Sequence, residues 1–270
     1  MKKRLSELVF ADCIFILFLS FSSVFSGALS SAFYAIAFVL PVFLLLLIWK
    51  RREVEIYPVS IALDRRTLRL TVPLVFPIII LIFLVSFLTS LVMSLVGIER
   101  AGEVYGENLL YVITVSALAP AIFEEMLFRY LPIRALGAHS AKLCVIYSSV
   151  LFALSHCNLF QIPYALVAGI LFASLDIATG SIVPSIIIHF VNNVLSIFWA
   201  RSSTDAFVLI FLLSLVLLTV LSLLWVWKNK KEFKDAFSPV LQDKSKVIFT
   251  YTFAIYVFAM LITSAMLLSI

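Results

Sequence analysis

The chain has 270 residues, 63% of them hydrophobic and 13% charged, whereas soluble domains run near half apolar and about a quarter charged. That balance rules out a water-soluble fold, and the net charge of +5 does not signal nucleic acid, because the basic residues sit in short connections beside apolar runs. Cys13, Cys144 and Cys157 form no CxxC pair, and their odd number excludes a complete internal disulfide framework.

Apolar runs predict nine membrane-spanning helices, at 8–26, 29–49, 73–97, 108–134, 140–157, 159–177, 181–200, 206–227 and 247–270. Each is near the roughly 20 residues a bilayer requires, and eight spans are the alternative. The expected fold is an all-α polytopic transmembrane helix bundle in the cell membrane. The first run follows Met1-Lys2-Lys3-Arg4 but is longer than a signal-peptide core, so it reads as an uncleaved helix. The 50–72 connection is too polar to span, although Ile56, Val59, Ile61 and Leu63 could rest at the interface. With a cytoplasmic amino terminus, nine spans put the 50–72, 134–140, 177–181 and 227–247 connections inside. Of the 20 lysines and arginines, only Arg100 and Arg201 then fall outside. Removing one span would invert every later connection, so the asymmetry supports this parity. The chain divides into amino-terminal spans (1–107) with a basic cytoplasmic loop, a four-span core (108–200) and carboxy-terminal spans (201–270).

Ionisable residues inside apolar spans are costly, about 2.5–3.5 kcal/mol each at a helix centre by insertion scales, and therefore informative. The fourth span holds Glu124, Glu125 and Arg129, the fifth His156, the seventh His189 and Asn193. Counted from the cytoplasmic helix ends at about 1.5 Å per residue, Glu124, His156, His189 and Asn193 lie roughly 15, 21, 12 and 18 Å deep. They are expected to meet in one polar cavity opening towards the cytoplasm. His189 and Asn193, spaced i,i+4, share a helix face, whereas Glu124 and Glu125 point about 100° apart. Glu125 is also i,i+4 to Arg129, so that pair can neutralise itself and leave Glu124 for chemistry. Pro120 removes a helix hydrogen bond beside the site. His139 falls in a loop, Asp176 reads as interfacial, and Asn192 reads as structural, pointing away from the His189–Asn193 face.

Three motifs in these spans resemble those of the CAAX protease and bacteriocin-processing family, which includes the type II CAAX prenyl endopeptidases. They are Glu124-Glu125 with Arg129, Phe152 with His156, and His189 with Asn193. The flanks Ser149–Ser155 and Thr179-Gly180-Ser181-Ile182 with Pro184 fit the same pattern, over residues 108–200. One departure is Tyr130, where the family often has glycine after the motif arginine; it could narrow the cytoplasmic entrance.

The resemblance implies an intramembrane endopeptidase in which water is activated without a covalent enzyme intermediate. Glu124 would be the general base, His156 would help hold the water, and His189 and Asn193 would stabilise the oxyanion, with Glu125 and Arg129 in support. The expected cofactor is none or one divalent ion, zinc foremost, with Glu124, His156 and His189 as candidate ligands. The expected partners are the lipid bilayer and a protein or peptide substrate entering from the membrane or the cytoplasmic side. A non-catalytic scaffold or immunity protein and an ion- or proton-coupled transporter are the alternatives.

Overall fold

The computed structural model describes residues 1–54, 56–99, 108–201, 205–247 and 250–267. Among them the chain forms helices and no strand: α1 Lys2–Val24, α2 Gly27–Arg51, α3 Arg65–Leu95, α4 Leu109–Leu136, α5 Ala141–Ser155, α6 Ile162–Thr179, α7 Val183–Arg201, α8 Asp205–Lys228, α9 Lys230–Leu241 and α10 Tyr251–Met266. Seven are long and apolar enough to cross a membrane, while α5 and α10 are apolar but shorter. The protein is an all-α polytopic membrane bundle, and each expected apolar run forms a helix. Arg100 lies outside the described residues.

Two boundaries differ from expectation. Helix α3 begins at Arg65, well inside the 50–72 connection, because the Asp64 side chain caps it by accepting from the Thr67 amide at 2.7 Å. That backbone hydrogen bond also holds the Asp64 carboxyl below its usual range. The 227–247 connection is not plain loop, since it carries α9. This helix is amphipathic: Phe233 and Ala236 are buried, while Lys230, Lys231 and Lys234 keep to water or the membrane surface.

The basic connections are knitted together at one end of the bundle. Tyr57 N–H donates to the Arg134 carbonyl at 3.0 Å, Ser60 N–H to Gly180 at 2.9 Å, and Ile182 N–H to Ser60 at 3.1 Å. The Ser181 hydroxyl donates to the Ala62 carbonyl at 2.8 Å. Val54, Ile56 and Val59 pack onto the core, whereas Ile61 and Leu63 are exposed. Asp243, beyond α9, accepts from the Ser140 hydroxyl at 2.6 Å and the Lys142 amide at 3.1 Å. Arg69 pairs with Glu232 and Arg52 with Glu7, each at 2.9 Å. Four connections distant in sequence thus form one polar cap.

Helix α6 lies at the centre, packed by α3, α5, α7 and α9. Its approach to α5 depends on Gly169, where an added Cβ would stand 2.8 Å from the Ser149 Cα. Gly180 ends α6 with φ +73°, a conformation glycine adopts without steric cost, and turns the chain into the cap. Helix α10 is fastened to α1 by the Tyr256 hydroxyl, which donates to Asp12. Asp12 is buried and was not singled out by the sequence reading, although a lone carboxyl inside an apolar run carries the same signal as Glu124. The three cysteines are free. Cys144 is buried as packing, and Cys13 is exposed.

Candidate active site

Helix α4 supplies the carboxylates. It is not a regular α-helix throughout, because π-helical turns occupy Thr114–Leu118 and Met126–Tyr130, one before Pro120 and one directly after Glu125. The first lies where proline cannot donate; such local widenings recur at functional sites. Between them, Glu124 and Glu125 face the same imidazole from different sides. His189 Nδ1 lies 2.7 Å from Glu125 Oε1, and His189 Nε2 lies 3.9 Å from Glu124 Oε2. Adjacent glutamates about 100° apart can nevertheless meet one target, since the imidazole ring offers a nitrogen to each.

The second oxygen of Glu125 pairs with Arg129 Nε at 3.2 Å, and both side chains are fully buried, as the i,i+4 spacing implied. The contact is an ion pair without hydrogen-bond geometry, and none of the three Arg129 nitrogens makes a hydrogen bond among the described residues. Instead, its guanidinium carbon lies 4.3 Å from the Phe152 ring centroid and 5.6 Å from that of Phe172. Desolvated cation–π contacts of this kind are worth about 2 kcal/mol. Phe152 is a hub the sequence reading named only as a motif letter. Its ring also meets His156 edge-on at 4.9 Å and His189 at 5.8 Å.

His156 ends α5, and Cys157 directly after it holds φ +48°, a conformation that costs a non-glycine residue about 1 kcal/mol or more. His156 Nδ1 lies 2.8 Å from the Phe152 carbonyl. A carbonyl only accepts, so Nδ1 carries the proton and Nε2 is left with a lone pair. His189 Nδ1 is likewise the donor to Glu125. On α7, the Asn192 amide donates to Asn193 Oδ1 at 3.4 Å, which leaves the Asn193 NH₂ free to donate elsewhere.

Glu124, His156, His189 and Asn193 all line one cavity of about 590 Å³ between α3, α4, α6 and α7. Glu125 and Arg129 stand behind its wall. Asn192 lines it too, contrary to the expectation that it points away, because a wide cavity borders more than one helix stripe. Asp176, near the cap end of α6, is fully buried in the protein and accepts from the Ser185 amide at 3.1 Å, which ties α6 to the first turn of α7, one helix turn before His189. His139 is exposed in its loop, as expected.

The cavity runs from buried to exposed lining residues. Its inner residues Ile82, Phe172 and His189 are buried, while Phe87 and Trp199 are 64% and 38% exposed. Phe87 and Trp199 lie farther from the basic cap on α3 and α7 than Ile82 and His189 do. Tyr130 is not among the lining residues; its hydroxyl pairs with Arg134 at the cap. Nor do Glu124, His156 and His189 form a three-donor metal group, and none exists among the described residues.

No curated protein and no solved structure matches the chain. Residues 106–195 match the family model described as type II CAAX prenyl endopeptidase Rce1-like. The match runs from before α4 into α7 and covers all three motifs, so this third of the chain is similar to the Rce1-like family, in agreement with the resemblance its motifs carry.

Proposed function

We propose that the protein is an intramembrane endopeptidase in which Glu124 activates a water molecule for attack on a peptide bond. The observation that carries this reading is the unequal treatment of two adjacent carboxylates. Glu125 is held by Arg129 and His189. Glu124 faces the cavity and makes no ion pair with Arg129; among the described residues its ion-pair contact is His189 Nε2 at 3.9 Å, which leaves its carboxylate to accept a proton. Catalytic hydrogen bonds are often long before substrate binds.

The water gives one proton to Glu124, and His156 Nε2, an acceptor in this tautomer, holds the other. The water oxygen bonds to the carbonyl carbon, and the carbonyl oxygen becomes an oxyanion. Asn193 NH₂ donates to it. His189 Nε2 can also donate when the ring carries both protons, the Nδ1 proton being committed to Glu125. Collapse breaks the C–N bond, and Glu124 returns its proton to the departing nitrogen. No residue forms a covalent intermediate, and no step is routed through a metal.

Purified protein incubated with an unbiased peptide library should yield cleaved peptides by mass spectrometry, and Glu124→Gln protein should not. A library left intact by folded parent protein would count against the reading.

A further inference from the structure

We infer that a second cavity, at the polar cap between the end of α2 and the end of α4, holds the headgroup of a phospholipid with net negative charge. It has a volume of about 260 Å³ and shares no lining residue with the cavity at Glu124.

The sequence builds this cavity by stopping α2 abruptly. The apolar run ends in Trp49-Lys50-Arg51-Arg52, an aromatic and basic ending that belongs at the boundary between hydrocarbon and headgroups. Glu53 then takes φ +48°, and Val54 N–H turns back to the Trp49 carbonyl at 3.0 Å. The reversal brings Val54 and Ile56 against the helix end, and Arg134 of α4 closes the other side. The carbonyls of Ile48 and Lys50 accept from the Arg52 and Glu53 amides. The acceptors at this helix end are therefore occupied and do not face the cavity as bare negative dipoles.

Two cations line the cavity, and neither has an anionic partner among the described residues. Arg4, Arg52, Arg69 and Arg129 each meet a carboxylate. Arg134 meets none, although it is partly buried and its Nε is enclosed without a hydrogen bond. Its guanidinium pairs with the Tyr130 hydroxyl and lies 4.8 Å from that ring's centroid, but a phenol does not balance the charge. Lys50 is exposed and likewise unpaired, and Glu53, on the same wall, is within ion-pair distance of neither cation. A cation held partly out of water favours a counter-anion, and a phosphodiester can accept from a guanidinium and an ammonium together.

The remaining walls favour lipid over a soluble anion. Leu46, Val54 and Ile56 make part of the lining apolar. On α2, Val39, Phe43, Leu46 and Lys50 follow at steps of four, three and four residues and so share one helix face. Val39 and Phe43 are 53% and 60% exposed. That stripe runs from the cavity into the membrane and offers an acyl chain a path continuous with the headgroup site. Basic pockets between helices near the membrane surface recognise anionic headgroups in this way.

The test reads thermal unfolding of the full-length protein in an uncharged detergent while phosphatidylglycerol, phosphatidylcholine or inorganic phosphate is added. A ligand that binds only the folded state raises the melting temperature. Phosphatidylglycerol should do so, and the other two should not. The concentration of phosphatidylglycerol needed for half the effect should rise about fivefold in Lys50→Gln protein, and about as much again when Arg134→Gln is added. Lys234→Gln, on the exposed face of α9, should leave it unchanged. Lys50 is exposed and unpaired, so Lys50→Gln decides the matter even where Arg134→Gln protein fails to fold. Stabilisation by phosphatidylcholine to the same extent overturns the inference, since an apolar annulus would then suffice. So does an equal effect of inorganic phosphate, which would make the ligand a free anion. Equal weakening by Lys234→Gln, or no response to phosphatidylglycerol, overturns it as well. Unfolding is read without substrate, so the result does not depend on hydrolysis.

Discussion

Glu124→Gln and Glu125→Gln, compared side by side, separate chemistry from architecture. Glutamine keeps the shape and one acceptor of each side chain but removes the negative charge. At position 124 the fold loses little, because the carboxylate is 16% exposed and lies 3.9 Å from His189 Nε2, beyond hydrogen-bond reach. Hydrolysis should nevertheless fall about 10²–10⁴-fold, the range for general-base catalysis, or about 2.7–5.4 kcal/mol of barrier at about 1.36 kcal/mol per factor of ten. At position 125 the order reverses. That carboxylate is fully buried, 3.2 Å from a fully buried Arg129 and 2.7 Å from His189. Removing one partner of a buried pair costs about 3–5 kcal/mol, a large part of a total stability of roughly 5–15 kcal/mol. Hydrolysis of a peptide pool, and thermal unfolding in the same detergent, should be read for both variants. Full hydrolysis by well-folded Glu124→Gln protein refutes catalysis by Glu124. A Glu125→Gln protein as stable as the parent refutes the supporting role of the buried pair.

Asn193→Ala should lower turnover about 10²–10³-fold with little change in KM, as expected of an oxyanion donor; a rise in KM at unchanged kcat would assign it to substrate binding instead. Prolonged treatment with a zinc chelator should leave hydrolysis unchanged, and a loss restored by added zinc would show that Glu124, His156 and His189 gather around an ion. Hydrogen bonds from Ser140, Ser245 and Lys142 hold the Asp243 carboxyl well below the usual carboxylate range. Its stabilising effect is therefore complete above the unfolded value near pH 4 and disappears as pH falls towards the folded value. The melting difference between parent and Asp243→Ala protein should accordingly shrink between about pH 5 and pH 2, and a constant difference would remove the carboxylate from the latch. Gly169→Ala would force α5 and α6 apart against Ser149, costing about 1–3 kcal/mol of overpacking, and an unchanged melting temperature would show that the helices can yield there.

Much of this arrangement was legible in the sequence because lipid imposes a simple rule. An apolar run of about 20 residues must become a helix with its backbone satisfied internally, and an ionisable side chain within one needs a partner. Those two rules gave the helices, the Glu125–Arg129 pair and the set Glu124, His156, His189 and Asn193 that lines one cavity. What escaped was whatever depends on packing between helices. Phe152 reads as one more apolar residue until Arg129 is seen lying on its ring. Asp176 reads as interfacial from its distance to Gly180, yet the turn at Gly180 folds the start of α7 over it. The amphipathic α9 was hidden because its apolar positions are few and Lys230, Lys231, Lys234 and Asp235 made the segment look like a loop.

The buried wall behind the cavity follows from the same division of charge that leaves Glu124 facing it. A buried arginine in an apolar bundle needs both a counter-ion and surroundings that exclude water, because a pair open to solvent gains little. Glu125 supplies the charge, and Phe152 and Phe172 supply the walls. These residues stand behind the cavity wall. Arg129 and its aromatic neighbours hold Glu125, which in turn orients His189 through Nδ1, so that Nε2 points towards Glu124. The motif arginine therefore acts at one remove: it fixes the ring that faces Glu124. Replacing Arg129 with lysine would retain the charge but lose the planar contact with Phe152 at 4.3 Å. Arg-to-Lys exchange is not conservative at a stacked site.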